Sequence, residues 1–185
     1  AQGKKPILEL AGNDGLVVWR DADLAHAARA LTESFIGSGQ VCLVPKYGIV
    51  HPAVADELFT RLLDEVAHLR PTRMADPAAW LSPVMKSDRY FEFLADARTH
   101  GVAVLTGGHR VDTDGVRDEA GVFIEPTVLR VDGLDLAERV QAVREETFFP
   151  LLPVVVAEDP GDDGVLLDRV LRFLDANRYG LRNSL

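Results

Sequence analysis

The sequence contains one cysteine, and its surroundings suit a nucleophile. Cys42 follows the small-residue run Gly37-Ser38-Gly39 and then Gln40 and Val41. Small residues let a substrate and the backbone approach closely, and a thiolate both attacks carbonyls and forms reactive thioesters. A lone cysteine is more often a small buried core residue. Lys46 is the nearest basic residue, but local sequence does not indicate that it activates the thiol, so both interpretations stay open.

A second candidate is the carboxylate Glu9, which lies between Leu8 and Leu10. A carboxyl group among apolar side chains can serve as a general base near neutral pH. Most glutamates are simply exposed, so a solvated carboxylate at a strand edge is the alternative interpretation.

Alternating apolar runs and helical patterns predict the elements that position these residues. Strands are predicted at 16–19, 47–50, 102–105, 122–124, 127–131 and 151–157. Helices are predicted at 24–35, at 52–66, at 86–99, more weakly at 134–143, and at 164–177. This order predicts a single α/β domain with an open, largely parallel twisted sheet and helices on both faces.

Composition excludes some classes of partner. The chain has 185 residues, of which 47% are hydrophobic, and its net charge of -9 disfavours nucleic acid or an anionic membrane. One cysteine permits no internal disulfide, and no apolar run approaches the roughly 20 residues of a membrane span. Residues 1–5 lack the apolar stretch of a signal peptide, so a cytoplasmic location is expected. The five histidines are scattered without ligand spacing, so no metal is implied.

Gly39-Gln40-Val41-Cys42 is one of an ordered set of motifs that runs along nearly the whole chain. This segment resembles the cysteine signature of the aldehyde dehydrogenase superfamily. The other matching segments, in chain order, are Leu8-Glu9-Leu10-Ala11-Gly12, Thr106-Gly107-Gly108, Phe123-Ile124-Glu125-Pro126-Thr127, Glu145-Glu146-Thr147-Phe148-Phe149-Pro150, and Asn177 with Tyr179-Gly180-Leu181.

The resemblance implies oxidation of an aldehyde to a carboxylic acid, with NAD or NADP as hydride acceptor. Cys42 would be the nucleophile, forming a thiohemiacetal and then a thioester, and Glu9 the general base that activates water. The other implied roles are nicotinamide contact by the backbone carbonyl of Leu10, hydrogen bonding to the nicotinamide ribose by Glu146, packing beside it by Phe148, and substrate contact by Asn177.

The resemblance also implies a missing partner domain. No glycine-rich dinucleotide turn follows a strand in this sequence, and the family's nucleotide-binding domain comes mostly before the glutamate signature. Residues 1–185 therefore correspond to a catalytic-domain fragment, which we expect to be inactive alone because that other domain supplies an oxyanion-hole asparagine. The parent is expected to form homodimers or homotetramers.

Several positions depart from the family pattern. Ala11, Asn13 and Phe149 replace residues common near the cofactor, and Leu43 and Tyr47 differ after the cysteine. Three alternatives remain: a CoA-acylating aldehyde dehydrogenase, a degenerate binding or assembly module with the same fold, and an unrelated α/β domain with a structural thiol. The motifs do not identify the aldehyde or choose between NAD and NADP.

Overall fold

A computed structural model describes residues 3, 5, 7, 10–71, 79–158, 160–180 and 182–185. These residues form one six-stranded sheet and one small hairpin. The strands are β1 (Gly15–Val18), β2 (Tyr47–Val50), β3 (Ala103–Thr106), β4 (Arg110–Val111), β5 (Phe123–Ile124), β6 (Thr127–Asp132), β7 (Leu151–Val156) and β8 (Asn183–Ser184). The helices are α1 (Leu24–Thr32), α2 (Ala55–Ala67), α3 (Ser87–Thr99), α4 (Leu134–Ala137), α5 (Gln141–Arg144) and α6 (Asp163–Asp175).

The large sheet has the strand order β3-β6-β7-β2-β1-β8. Four neighbouring pairs are parallel, and β3 alone runs antiparallel to β6. The two-stranded sheet joins β4 and β5 in antiparallel register. The predicted α/β class and the largely parallel sheet are therefore confirmed.

The sheet separates two hydrophobic cores, because successive strand residues point to opposite faces. Ile49 and Val155 face one core, which contains apolar residues of α3, α5 and α6. Val50 and Val154 face the other core, which contains residues of α1 and α2. The parallel strands β1, β2, β6 and β7 are largely buried on both faces, as parallel strands covered by helices should be.

Some predicted boundaries were wrong. The single helix predicted at 134–143 is two short helices, and Val140 between them is extended. The backbone N–H of Gln141 donates to Asp96 Oδ2 at 2.8 Å, so α5 begins at a cap supplied by α3. The helix predicted at 24–35 ends as α-helix at Thr32 and continues as a 3-10 segment, Glu33–Gly39, which is interrupted by non-helical backbone at 36–38.

Two further differences concern the loops and the last strand. The strand β8 was not predicted; its two polar residues pair with Gly15 and Leu16 of β1. The predicted loop at 70–82 falls partly on residues 72–78, which lie outside the described residues. No helix of the described ranges is long and apolar enough to cross a membrane.

The connections that lead into β1, β2 and β7 bring three chain segments to one edge of the sheet. These strands are neighbours and run parallel, so the residues just before each strand lie at the same edge. We call it the amino edge, and the opposite one the carboxyl edge. Residues 10–14 precede β1, residues 37–46 precede β2, and residues 145–150 precede β7. The segments predicted to carry the chemistry therefore converge.

Candidate active site

The cysteine loop, residues 37–42, leaves the end of the 3-10 segment in an unusual conformation. Gly37, Ser38 and Gly39 have φ of 59°, 56° and 71° in succession. Ser38 is the only one of them that carries a side chain, and that side chain is buried. Its Oγ donates to the carbonyl of Ser82 at 2.7 Å and accepts from the N–H of Ser82 at 2.9 Å. These bonds hold Ser38 in the left-handed region, which ordinary residues rarely adopt.

Gln40 fixes the middle of the cysteine loop. Its Nε2 donates to the carbonyl of Pro83 at 2.9 Å and to Ser82 Oγ at 3.1 Å. Its Oε1 accepts from the N–H of Met85 at 3.1 Å. The residue two positions before Cys42 is thus anchored to the segment that leads into α3.

The cysteine loop packs tightly against residues 145–149, which we call the Glu146 segment. A Cβ atom added to Gly39 would lie 2.6 Å from the carbonyl oxygen of Phe149. The Phe149 ring is buried and makes edge contacts with Tyr90 and Phe93, at centroid distances of 5.7 and 5.1 Å. The bulky residue noted as a departure from the family pattern therefore fills the core below α3, while its backbone supports the cysteine loop.

Both segments line a cavity of about 820 Å³ at the amino edge. Cys42 is half-buried in its wall. Leu10, Glu146 and Phe148 line the same cavity, as do Gln40 and Arg89. The structure thus brings four of the six sequence-predicted site residues together, namely Cys42, Leu10, Glu146 and Phe148. Glu9, the predicted general base, lies outside the described residues.

Asn177 occupies a neighbouring position instead of the wall of this cavity. Its side-chain Nδ2 donates to the carbonyl of Asn13 at 2.6 Å and to the Tyr47 hydroxyl at 3.2 Å. Its Oδ1 accepts from the N–H of Tyr179 at 3.1 Å. Tyr179 lines the cavity together with Cys42. In this structure Asn177 fastens the segment before β8 to the amino edge, and its predicted contact with substrate stays a prediction.

Sequence reasoning noted Lys46 as the nearest basic residue but missed its burial and its contacts with the backbone. Lys46 is only 1% exposed, yet its Nζ donates to the carbonyls of Gly39 at 3.1 Å, Val41 at 2.7 Å and Thr147 at 3.1 Å. Burial lowers the pKa of Lys46 to about 8, opposed by the charges of Glu146, Cys42 and Asp14. A lysine immediately before the apolar run Tyr47–Val50 was the available signal, because lysine is rarely buried without partners.

An arginine that lines the cavity is paired with carboxylates. Arg89 on α3 contacts Glu145 at 2.9 Å and Glu92 at 3.0 Å. Its guanidinium carbon also lies 4.7 Å from the ring centroid of Phe93. Within the described ranges, no group of three or more histidine, cysteine, aspartate or glutamate side chains could hold a metal ion. The chemistry available here is therefore that of a thiol, carboxylates and a buried cation.

An α/β sheet with a cysteine loop and a carboxylate in one cavity defines the class of this chain as an α/β domain with a thiol-bearing cavity. Comparison with known proteins identifies the family to which this domain belongs. The sequence profile of the aldehyde dehydrogenase family matches residues 1–185. The chain belongs to the aldehyde dehydrogenase family.

Two curated relatives and one solved structure illustrate the similarity. Aldehyde dehydrogenase tropH of Talaromyces stipitatus is 28% identical, over 98% of this chain and 35% of that protein. Aminoaldehyde dehydrogenase 2, peroxisomal, of Pisum sativum is 33% identical, over 83% and 30%. The structure of 3,6-anhydro-L-galactose dehydrogenase in complex with NAP superposes with a TM-score of 0.74 at 32% identity, over 91% of this chain and 33% of that one. The chain spans about a third of the length of the relatives it matches.

Proposed function

We propose that this chain is the nucleophile-bearing part of an NAD(P)-dependent aldehyde dehydrogenase, and that Cys42 is its nucleophile. The observation that carries the proposal is the convergence of Cys42 with Glu146 and Phe148 in one cavity. The Cys42 thiolate forms a bond to the aldehyde carbon, and the carbonyl oxygen becomes an alkoxide. When that carbon–oxygen double bond re-forms, hydride leaves and the carbon becomes a thioester.

The residues of the cavity suit a nicotinamide cofactor. Glu146 is half-exposed there, so its carboxylate can accept hydrogen bonds from ribose hydroxyls. Phe148 offers a partly exposed aromatic face, and Leu10 is 80% exposed, so its backbone is accessible. Bound NAD or NADP supplies the acceptor of the hydride.

Hydrolysis completes the proposed reaction. A general base, which we assign to Glu9, takes a proton from water as the water attacks the thioester. The carbon–sulfur bond breaks, and the Cys42 thiolate and a carboxylic acid are released. A thiol such as CoA would replace water in an acylating enzyme, and Glu9 would then matter little.

The chain alone provides only part of this machinery. We propose that a nucleotide-binding domain outside these residues holds most of the cofactor and completes the oxyanion site. The relatives are about three times longer than this chain, which supports that division. We also propose a cytoplasmic enzyme that works as a homodimer or homotetramer.

The test is aldehyde-dependent reduction of NAD and NADP, measured at 340 nm over a panel of aldehydes. The assay compares the 185-residue chain with a polypeptide that also carries a nucleotide-binding domain. We expect turnover only in the longer protein, and Glu9→Gln in that protein should accumulate the thioester. If CoA and not water releases the product, the acylating alternative replaces hydrolysis. If no aldehyde is oxidised with either cofactor, the dehydrogenase proposal fails and a binding module becomes the better explanation.

A further inference from the structure

We infer that Lys46 is a positioning residue for the Cys42 thiol: its ammonium group holds the cysteine loop against the Glu146 segment and favours the thiolate form. This inference rests on the proposed role of Cys42 as nucleophile. It goes beyond that role because it assigns a positioning function to Lys46, a side chain that does not line the cavity.

The first argument is the position of the three acceptors. The carbonyls of Gly39 and Val41 belong to the cysteine loop, and the carbonyl of Thr147 belongs to the Glu146 segment. One ammonium group with three donors therefore connects the cysteine loop with the Glu146 segment, whose Thr147 is 101 residues from Lys46 in sequence. The bond to Val41 is the shortest of the three, at 2.7 Å, and Val41 is the residue directly before Cys42.

The second argument is electrostatic. Taking an ammonium group out of water is costly unless hydrogen bonds and opposite charges compensate it. The anionic groups that act on Lys46 come from three different segments: Cys42 on the cysteine loop, Glu146, and Asp14 before β1. Lys46 Nζ donates to the carbonyl directly before Cys42, so the positive charge lies beside the nucleophile, where it favours negative charge.

The third argument is the ring of Phe148, which shares the cavity with Cys42. Lys46 Nζ lies 5.1 Å from the centroid of that ring, within the range of a cation–π interaction. A single buried charge thus contacts the backbone before the nucleophile, the backbone next to Glu146, and the aromatic residue predicted to pack beside the cofactor. Loss of the charge should therefore change the reactivity of the Cys42 thiol.

Cys42 is the only cysteine, so alkylation of the folded chain reports on it alone. We would measure the rate with iodoacetamide, a neutral reagent, from pH 6 to 10. Lys46→Gln keeps a hydrogen-bond donor and removes the charge. It should slow alkylation at pH 7 by about tenfold and raise the midpoint of the rate profile by about one pH unit. Lys46→Arg, which keeps the charge, should stay within about threefold of wild type.

The matched control is Arg61→Gln, which removes one positive charge from the exposed surface of α2. It should leave both the rate and the midpoint unchanged. Because Lys46→Gln can also weaken the fold, a reciprocal measurement keeps the inference falsifiable. The 13Cε resonance of Lys46 is titrated by NMR in wild type and in Cys42→Ser, and the lysine midpoint should fall by about one unit when the thiolate is absent.

The inference is overturned if folded Lys46→Gln alkylates at the wild-type rate, or if Cys42→Ser leaves the lysine midpoint unchanged. Neither measurement requires an aldehyde or a cofactor. If Lys46 and Cys42 are coupled but no aldehyde is oxidised, the proposed function is wrong and this inference stands. If aldehydes are oxidised but the Cys42 thiol does not respond to Lys46, this inference is wrong and the proposed function stands.

Discussion

The two edges of the parallel sheet hold their charged groups in different ways. At the carboxyl edge, His51 follows β2 and lies 3.3 Å from Asp163 at the start of α6, while Arg20 follows β1 and contacts the same carboxylate at 2.8 Å. At the amino edge, Lys46 binds three backbone carbonyls, and the Asn13 amide donates to the carbonyl of Val143 at 2.8 Å. The charged groups named at the carboxyl edge pair with one another, whereas Lys46 and Asn13 at the amino edge bind backbone carbonyls.

This difference matters because backbone carbonyls are fixed by the fold, whereas paired surface side chains are screened by solvent. Ligands of open parallel sheets usually bind beyond the carboxyl ends of the strands. The candidate site of this chain lies at the other edge, where Cys42 and Glu146 are carried on segments that precede β2 and β7. The following predictions test whether function is confined to the amino edge.

The largest expected effect is that of Cys42→Ala. In a polypeptide with a nucleotide-binding domain, we expect it to lower aldehyde oxidation by more than about 10³-fold, because the covalent route is lost. Asp163→Asn at the carboxyl edge should leave kcat/KM within about twofold. Comparable losses in both variants would show that the two edges do not differ in function.

The second prediction concerns the contact between the cysteine loop and the Glu146 segment. Gly39→Ala introduces a Cβ at φ 71° that meets the Phe149 carbonyl, and it should lower the free energy of unfolding by about 2–4 kcal/mol. Gly101→Ala has a similar φ of 76° but no atom within 4 Å of the added Cβ, so it should cost only about 1 kcal/mol. Urea denaturation of both variants measures the difference. Equal losses of stability in the two variants would mean that the positive φ alone, without the contact with Phe149, explains why residue 39 is glycine.

The third prediction follows from the pKa of Lys46, which burial lowers from 10.5 to about 8. Between these values the unfolded chain binds more protons than the folded chain, so stability rises with pH there and is lost as the pH falls toward 8. Between pH 8 and 10, the free energy of unfolding of wild type should rise by about 1–2 kcal/mol relative to that of Lys46→Gln. Burial raises the pKa of Tyr47 to about 12, so its opposing effect begins only above about pH 10.

This third prediction is checked by urea unfolding of wild type and Lys46→Gln at several pH values. Parallel stability curves for the two proteins would contradict the buried position of the ammonium group.

The smallest expected effect is at the carboxyl edge itself. Asp163→Asn should lower the free energy of unfolding by no more than about 1 kcal/mol, because Asp163 and Arg20 are partly exposed. It should leave the alkylation rate of Cys42 unchanged. A thiol slowed by this substitution would show that the two edges are coupled through the sheet.

Four of the residues that the motifs singled out line one cavity, and their roles there stay predictions. Ordered motifs identified Cys42, Leu10, Glu146 and Phe148, and these converge because each precedes a strand of one parallel sheet or lies on the segment that leads to it. The role of Lys46 depends on where carbonyl oxygens point, which residue types do not specify. The break between α4 and α5 likewise depends on a cap from Asp96, 45 residues away.

Each of the two hydrophobic cores positions one half of the site. Leu31 and Phe35, which lead into the cysteine loop, pack in the core with α2, whereas Val143, just before the Glu146 segment, and Phe149, at its end, pack in the core with α3. We therefore expect the spacing of the Cys42 thiol and the Glu146 carboxylate to respond to side-chain volumes on both sides of the sheet. Substitutions of buried residues that do not line the cavity should then change its shape.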